Sequence, residues 1–333
     1  MTRLATKMGP AGWAVAALAL AAIGLPLIGR LAWLAELSSH FVAQYAAAAA
    51  ILALGLALKN RPWLAAVALA ICLVQLARLA PLWTHPDPPT LAIAPERLTI
   101  TQLNVNIRHQ DPRRVVEWVI AEDPDIAVLI EVNRAWSASL TALRERYPHM
   151  LVGMPPDGSG IAVFAKGPKP SLRLEPLVDA WCPAIVLDFP EAPGPSPLAL
   201  IATHLRSPMT PRDAVARNRQ LRALVQRVAA EPALQKIVVG DLNITRWSPL
   251  FAQLTTIAGV RDGQEGFGLG GSWPSPFGRW LGIPIDQTLV SAGIRVVRRS
   301  VGPNLGSDHL PVTTTIEFSQ GMGARADDRD FSG

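Results

Sequence analysis

The chain has 333 residues and a formal net charge of +5 at pH 7. All of this excess lies in residues 1–82, which hold six Lys or Arg and a single acidic residue, Glu36, so residues 83–333 carry 25 charges of each sign. This balance argues against a domain that binds nucleic acid through its overall positive charge, and it leaves only a local basic patch open.

Three apolar runs occupy the N-terminal quarter, at about 11–29, 41–58 and 63–82. Each approaches the ~20 residues that a helix needs to cross the hydrocarbon core of a bilayer. The first run also fits the apolar region of a signal peptide, but two further runs follow it directly. We therefore predict a membrane anchor of three transmembrane helices in residues 1–82. The alternative is a buried helical hairpin in a soluble protein.

Basic residues near the apolar runs predict the orientation of this anchor. Arg3 and Lys7 precede the first run, and Lys59 and Arg61 separate the second from the third. Loops rich in Lys and Arg face the cytoplasm, so both segments are expected there. Arg78 argues mildly the other way. The prediction is a multi-pass protein of the inner or cell membrane whose remaining chain is periplasmic or otherwise extracytoplasmic.

Three further segments follow the anchor. Residues 83–97 include "THPDPPTLAIAP", with four prolines in twelve residues, which is typical of an extended linker. Residues 98–318 alternate short apolar runs of strand composition with helical stretches, which predicts one layered α/β or α+β domain. The tail at 319–333 has few apolar residues and is predicted to be disordered.

Helix signals within 98–318 are clear at two places. Asp111 and Pro112 fit an N-cap and a first helical position. A second helix is predicted after "THLRSP", with Leu221 and Leu224 on its apolar side. Arg217, in the first turns of that helix, is predicted on its solvated face.

Polar residues stand at the ends of, or interrupt, six of the predicted strands. A single polar residue there would be a turn, but turns alone fit a whole set poorly. Oxygen ligands such as Asp and Glu favour Mg²⁺, with Mn²⁺ as the other choice. The set comprises Asn104, Asn106, Glu131, Thr203, His204, Asp241, Asn243, Asp286, Asp308 and His309.

The segments "LNVN", "LIEV", "ATHL", "GDLN", "PIDQTLVS" and "GSDHLP" resemble, in order and spacing, the endonuclease/exonuclease/phosphatase superfamily. Its members include pancreatic deoxyribonuclease, apurinic endonucleases, neutral sphingomyelinases and inositol-polyphosphate phosphatases. The resemblance covers about residues 98–318. It implies a four-layered α/β (α+β) sandwich of two mainly antiparallel β-sheets flanked by helices, with the motif loops at one edge.

The resemblance also implies a metal site. Glu131 is expected to bind a divalent ion, with Asn104 beside it and Asp308 at or near the metal. Two departures from the family pattern bear on that site: Ile130 stands where many members carry Gln, and Asn106 stands where apurinic endonucleases have Asp.

The implied catalytic residues lie in the later motifs. Asp241 and Asn243 are expected to orient the attacking water and contact the phosphate. His309, held by Asp286, is expected to act as the general base or to polarise the phosphate. His204 is expected to contact the phosphate. These residue types suit in-line attack on phosphorus, in which catalysis is mostly positioning and electrostatic stabilisation.

Three functions remain open from the sequence. The first is a membrane-anchored, Mg²⁺-dependent phosphoesterase acting on an envelope or lipid-linked phosphate ester. The second is a nuclease with a basic strip around its cleft. The third is a catalytically silent binding domain. The sequence leaves the oligomeric state open. The strip would comprise Arg206, Arg212, Arg217 and Arg279.

Overall fold

The computed structural model describes residues 9–85, 97–108, 111–155, 159–167, 170–178, 183–189, 197–233 and 235–318. Most of the predicted linker, residues 86–96, and the predicted disordered tail at 319–333 lie outside the described residues.

The N-terminal quarter is helical. A helix begins at Pro10, passes through a π-helical turn and ends at Leu27, and a short helix precedes two long ones. The helices are α1 Pro10–Ala19, α2 Leu25–Leu27, α3 Trp33–Ser38, α4 Val42–Leu58 and α5 Pro62–Leu79, with a 3₁₀ turn at Ala80–Leu82.

Two of these segments, Pro10–Leu27 and Pro62–Leu82, are long and apolar enough to cross a membrane. The third expected span, Val42–Leu58, is equally apolar but has 17 residues. At a rise of ~1.5 Å per residue it is about 25 Å long, shorter than a ~30 Å hydrocarbon core. Within the described residues, two helices and not the expected three are therefore long and apolar enough to span a membrane.

Helices α4 and α5 form a hairpin whose open end rests on the rest of the protein. Val42 and Ala46 at the start of α4 pack with Leu79 and Leu82 near the end of α5, and Trp247 packs against this cluster. The tight turn at the other end carries the exposed Lys59 and Arg61. The two basic residues and the following domain thus lie at opposite ends of the hairpin.

The remaining chain forms two six-stranded sheets. Their strand orders are β11-β12-β1-β2-β4-β3 and β5-β6-β7-β8-β10-β9. The strands are β1 Arg97–Asn104, β2 Ile126–Val132, β3 His149–Gly153, β4 Gly160–Ala165, β5 Ser171–Pro176, β6 Pro183–Phe189, β7 Leu198–His204, β8 Gln235–Asp241, β9 Val260–Asp262, β10 Asp286–Ser291, β11 Ile294–Val301 and β12 Val312–Phe318.

Both sheets are mixed, and they follow the same plan. Each contains one parallel pair at its centre, β1–β2 in the first sheet and β7–β8 in the second, and four antiparallel pairs around it. The expected mainly antiparallel sheets are thus found with a parallel centre. The reason is local: a helix separates β1 from β2 and another separates β7 from β8, and such crossovers return the chain parallel to itself.

Helices cover the outer faces of both sheets. They are α6 Pro112–Glu122, α7 Arg134–Leu140, α8 Pro211–Ala229 and α9 Ala252–Thr256. A further short helix, α10 Gly278–Leu281, has no buried residue. The Asp111 side chain caps α6, as predicted, by accepting from Arg113 N at 3.2 Å.

Apolar side chains fill the space between the sheets and beneath the helices. Ile100 and Val128 of the first sheet meet Leu200 and Val239 of the second in one buried cluster. A second cluster joins α6 and α7 to the first sheet, and a third joins α8 to the second sheet. This order of helix, sheet, sheet and helix is the predicted four-layered sandwich.

Candidate active site

The two parallel pairs bring their carboxyl ends to the same edge of the sandwich. β1 ends at Asn104, β7 at His204 and β8 at Asp241, while Glu131 is the penultimate residue of β2. β10 runs antiparallel to β8 with Asp286 opposite Asp241. Asp308 and His309 lie just before β12, which is antiparallel to β1 and so begins at this edge.

Unusual backbone geometry marks this edge. Glu131, Asn106 and Asn243 have φ angles of 63°, 60° and 48°, in a left-handed region that non-glycine residues seldom adopt. Glu131 also sits at a β-bulge in the pairing of β2 with β4. Such conformations carry strain and concentrate at functional sites, where the surroundings hold them in place.

Gly240 of "GDLN" has φ 148°, and a Cβ at this position would clash with the carbonyl oxygen of Thr203 on β7. Glycine therefore lets β7 and β8 approach each other where the chain delivers Asp241.

Asn104 lies between two carboxylates. Its Nδ2 donates to Glu131 Oε1 at 3.0 Å and to Asp241 Oδ2 at 3.1 Å, while its Oδ1 accepts from the backbone N–H of Asn106. Burial raises the pKa of Asp241 to about 6, against the opposing effect of the His309 imidazole. Two carboxylates that meet at one amide nitrogen create a region of strongly negative electrostatic potential at the sheet edge.

His309 and Asp286 form a buried couple, as predicted. His309 Nδ1 lies 2.9 Å from Asp286 Oδ2, and its Nε2 lies 3.7 Å from Asp241 Oδ2. Burial alone would lower the pKa of His309, but the Asp286 carboxylate outweighs burial and raises it to about 10. Asp286 thus fixes the orientation of the imidazole and leaves Nε2 directed toward Asp241.

His204 and Asn243 complete the set around Asp241. His204 Nε2 lies 3.8 Å from Glu131 Oε1 and 3.7 Å from Asp241 Oδ2. Asn243 donates its backbone N–H to Asp241 Oδ1 at 3.0 Å and one amide hydrogen to the carbonyl of Leu205 at 2.9 Å. Among the described residues, no acceptor is found for the second amide hydrogen of Asn243.

Asp308 joins the site through different partners. Its Oδ1 accepts from Asn106 Nδ2 at 2.8 Å, and its Oδ2 accepts from Trp273 Nε1 at 3.1 Å. Asn106, which stands where apurinic endonucleases have Asp, therefore links Asp308 to Asn104. All eight predicted site residues are brought together by direct contacts or through one intervening side chain.

A cavity of about 420 Å³ opens over this set. One wall is polar and includes Glu131, Asp241, Asn243, Asp308 and His309. The rest of the lining, which we call the apolar wall, is largely apolar and contains residues that the sequence did not single out. They are Trp33, Leu37, Phe41, Pro208, Met209, Ile283 and Ile285.

The prediction that Arg217 lies on a solvated helix face is wrong, because its side chain is 0 % exposed. Its Nη2 donates to Glu36 Oε2 and its Nη1 to the carbonyl of Asn243, both at 2.7 Å. The sequence did contain a signal that this side chain is buried. Arg217 falls three residues after Ala214 and four before Leu221, on the buried stripe of α8.

The chain matches the Endonuclease/Exonuclease/phosphatase family over residues 101–309. It belongs to this family. Members of the endonuclease/exonuclease/phosphatase family are hydrolases that act on phosphoester bonds. The match extends from β1 to His309 and so takes in every predicted site residue.

Solved structures of the family share its fold. A family protein from Beutenbergia cavernae is 21% identical over 67% of this chain and 72% of its own, with a TM-score of 0.55. One from Bacteroides vulgatus is 15% identical over 67% of this chain and 100% of its own, with a TM-score of 0.55. D. rerio TDP2, in complex with a single-strand DNA product, is 18% identical over 66% of this chain and 99% of its own, with a TM-score of 0.53. No curated protein matches the chain.

The donor set of the site fits a divalent cation. The Glu131 and Asp241 carboxylates meet at a single amide nitrogen, and Asp286 Oδ1 is buried without a hydrogen-bond partner among the described residues. Asp241, Asp286 and His309 also place ligand atoms within 4.8 Å of one another. This group differs from the predicted one of Glu131, Asn104 and Asp308, which stays a prediction. Oxygen-rich sites of this kind suit Mg²⁺ or Mn²⁺.

Proposed function

We propose that this protein is a membrane-anchored, Mg²⁺-dependent phosphoesterase that hydrolyses a lipid-linked phosphate ester at the outer face of the cell membrane. The observation that supports the proposal is the mixed lining of the cavity, which has a polar wall and an apolar wall. Its polar wall holds groups suited to a phosphate, and its apolar wall comes partly from Trp33, Leu37 and Phe41, between the first two apolar helices. An apolar wall beside a phosphate site suits an ester with an apolar chain.

The surface near the cleft supports contact with a membrane. Phe277, Trp280 and Leu281 are exposed, and Gln44 at the start of α4 donates to the carbonyl of Leu281 at 2.6 Å. Aromatic side chains are favoured at the boundary between lipid and water. These exposed residues, at the end of the hairpin that rests on the domain, would hold the cleft close to the bilayer surface.

The orientation proposed for the domain rests on the charges around the hairpin. Lys59 and Arg61 lie at the end remote from the domain, and basic loops face the cytoplasm. The domain and the Trp33–Phe41 segment would then share the extracytoplasmic side. A lipid-linked substrate in the outer leaflet would have direct access to the cleft from there.

The proposed reaction is attack of water on phosphorus with loss of the ester oxygen. Glu131, with Asn104 beside it and Asp308 nearby, would hold Mg²⁺, which neutralises phosphate charge and supports the leaving oxygen. Asp241 would orient the attacking water. Asn243 would donate its remaining amide hydrogen to a phosphate oxygen, without adding the repulsion of a second anion.

The two histidines would act beside the same oxygen of Asp241, since Nε2 of each lies 3.7 Å from Oδ2. His309 is held at Nδ1 by Asp286, and its pKa of about 10 keeps the imidazole protonated at neutral pH, so its Nε2–H would donate to a phosphate oxygen. His204 would bind another phosphate oxygen. Removal of the water proton and neutralisation of the equatorial oxygens are the two demands of this transition state.

A nuclease remains the rival function, and ion pairing weighs against it. Of the four arginines in the expected basic strip, Arg206 is paired with Asp213 at 2.6 Å and Arg217 is buried against Glu36. Only Arg212 and Arg279 remain exposed without an ion pair in the described residues. Two separated charges give a weak backbone-binding surface.

Substrate preference tests the proposal. The full chain, reconstituted in vesicles with Mg²⁺, would be assayed on phospholipid, polyprenyl phosphate ester, bis-p-nitrophenyl phosphate and DNA, with His309→Ala as the inactive control. We expect a lipid-linked ester to give the highest kcat/KM, and the His309→Ala protein to lose this activity. Preferred cleavage of DNA, falling steeply with salt, would establish the nuclease instead. Silence on every substrate would favour the binding domain.

A further inference from the structure

Part of the N-terminal quarter is built into the candidate active site. Glu36 is the one acidic residue among residues 1–82, and its side chain is 2 % exposed. Its Oε2 accepts from Arg217 Nη2 at 2.7 Å, and its Oε1 accepts from Ser248 Oγ at 2.6 Å. A buried carboxylate is stable only when its charge and lone pairs are satisfied, as they are here.

The same segment makes a second contact through His40. Nδ1 of His40 lies 2.8 Å from Thr245 Oγ1, and its Nε2 lies 3.2 Å from Glu36 Oε1. Both His40 and Thr245 are buried. Residues 36 and 40, one helical turn apart, therefore hold the loop after β8 at positions 245 and 248.

Arg217 connects Glu36 to Asn243 in the candidate active site. Its Nη1 donates to the carbonyl of Asn243 at 2.7 Å, while the adjacent Nη2 binds Glu36. Asn243 has a positive φ of 48° and donates its backbone N–H to Asp241. A residue in this conformation keeps it only when its surroundings fix the peptide groups on either side.

We propose that Glu36 is a positioning residue of the active site, acting through Arg217 on the peptide that carries Asn243. The catalytic unit then includes residues 33–41 of the N-terminal quarter, and the helices serve as more than a tether. This inference rests on the proposed function, because it assigns Asn243 a role toward the phosphate.

The consequence is a coupling between the membrane anchor and the chemistry. Without Glu36 the guanidinium of Arg217 is a buried, unpaired charge, which turns toward water or toward another acceptor and releases the Asn243 carbonyl. A misplacement of about 1 Å at a catalytic group lowers the rate by as much as ~100-fold. The effect should fall on kcat, since Glu36 is not among the residues that line the cavity.

The test compares Glu36→Gln with wild type in the full chain, using the water-soluble bis-p-nitrophenyl phosphate so that lipid binding does not enter. Glu117→Gln is the matched control, since Glu117 is exposed on α6. We expect Glu36→Gln to lower kcat about 10- to 100-fold per folded molecule with little change in KM. The control should match wild type.

A double-mutant cycle tests the route through Arg217. If Glu36 acts through this side chain, Glu36→Ala combined with Arg217→Ala should lower kcat no further than the more damaging single change. Losses that multiply in the double variant would overturn the proposed route. So would a Glu36→Gln protein with unchanged kcat.

Hydrogen exchange separates this inference from the proposed function. Amide exchange in peptides covering residues 241–248 should be faster in Glu36→Gln than in wild type and Glu117→Gln. If wild type cleaves no phosphoester, the proposed function fails, yet faster exchange in this loop would still support the positioning by Glu36. Unchanged exchange would overturn it whatever the activity. Faster exchange with wild-type kcat would reduce Glu36 to a structural role.

Discussion

Glu36 and Arg217 are 181 positions apart in the chain, yet Arg217 Nη2 donates to Glu36 Oε2 at 2.7 Å with both side chains buried. The ion pair joins the helical N-terminal quarter to α8, the helix that connects the two parallel strands of the second sheet. The N-terminal helices and the two-sheet domain are therefore one structural unit at this point, and their stability should be linked.

We predict a specific pH dependence of that stability. Burial would raise the pKa of Glu36, but His40, Arg217 and Ser248 lower it from 4.5 to about 2. A lowered folded-state pKa gives stability that is complete above 4.5 and lost as the pH falls from there toward 2. Glu36→Gln, which removes one charge of a buried pair, should destabilise the protein by about 3 to 5 kcal/mol at neutral pH.

Melting temperatures in detergent check this dependence. The difference between wild type and Glu36→Gln should be largest near pH 7 and should shrink as the pH falls below 4.5. Glu117→Gln should track wild type throughout. A difference that stays constant down to acidic pH would show that the charge of Glu36 contributes nothing through Arg217.

Asp286→Asn should strongly reduce turnover. An amide at this position still reaches His309 Nδ1 but no longer stabilises the charged imidazole, and it permits the wrong tautomer. In a comparable Asp–His couple the Asp→Asn change costs ~10⁴-fold in kcat, and we expect a loss of about 10²- to 10⁴-fold here. Steady-state kinetics on a soluble diester measures the loss.

Asp111→Asn is the matched control for that change, because Asn caps a helix as well as Asp does and Asp111 is exposed at the start of α6. Its activity should equal that of wild type. Full activity in Asp286→Asn would remove the Asp286–His309 couple from the mechanism.

Activity should require a divalent metal that acts at Glu131. Chelation with EDTA should abolish hydrolysis, and Mg²⁺ or Mn²⁺ should restore it. Glu131→Gln loses an anionic oxygen at the point where Asn104 meets two carboxylates, so it should raise the metal concentration needed for half-maximal rate about 10- to 100-fold. A titration of rate against Mg²⁺ checks this, and an unchanged midpoint would move the metal to the Asp241, Asp286 and His309 group.

The apolar wall should select the substrate. Leu37→Asn places a polar group where we propose that an apolar chain binds, and should raise KM for a lipid-linked ester about 10- to 100-fold, as expected for losing ~1.5–3 kcal/mol of apolar burial. KM for bis-p-nitrophenyl phosphate should stay within a few-fold of wild type.

Leu34→Asn, on the same helix but exposed and outside the cavity, is the control for that substitution. It should leave both KM values at the wild-type level. An equal effect of the two variants on the lipid-linked ester would point to a general disturbance of α3 rather than to a lining residue.

The sequence was enough to predict the four-layered sandwich and the polar side chains that the structure brings together at one edge of it. The strands that end in Asn104, His204 and Asp241 can be recognised in the sequence, because an apolar run is followed there by a polar residue. The start of α6 was also predictable from local sequence, because Asp111 and Pro112 are typical of an N-cap and a first helical position. The resemblance to the superfamily implied sheets that are mainly antiparallel, and the single parallel pair at the centre of each follows from the strand–helix–strand order.

Long-range packing accounts for what the sequence did not reveal. Arg217 lies on the buried stripe of its helix, but an arginine there is expected in solvent unless its partner is known. That partner, Glu36, lies in another part of the chain. Residues such as Leu37 likewise become cleft residues only when the N-terminal helices rest on the domain. Side-chain geometry, rather than motif identity, decides whether Asp308 or Asp241 lies closer to Glu131.

The decisive measurement for the proposed function is the rate at which the full chain in vesicles releases the phosphate-bearing head group of a lipid-linked ester. It is made with and without Mg²⁺ and beside the His309→Ala variant. We predict release that requires Mg²⁺ and is lost in the variant. Release that persists in His309→Ala or without metal, or its absence while DNA is cleaved, would contradict it.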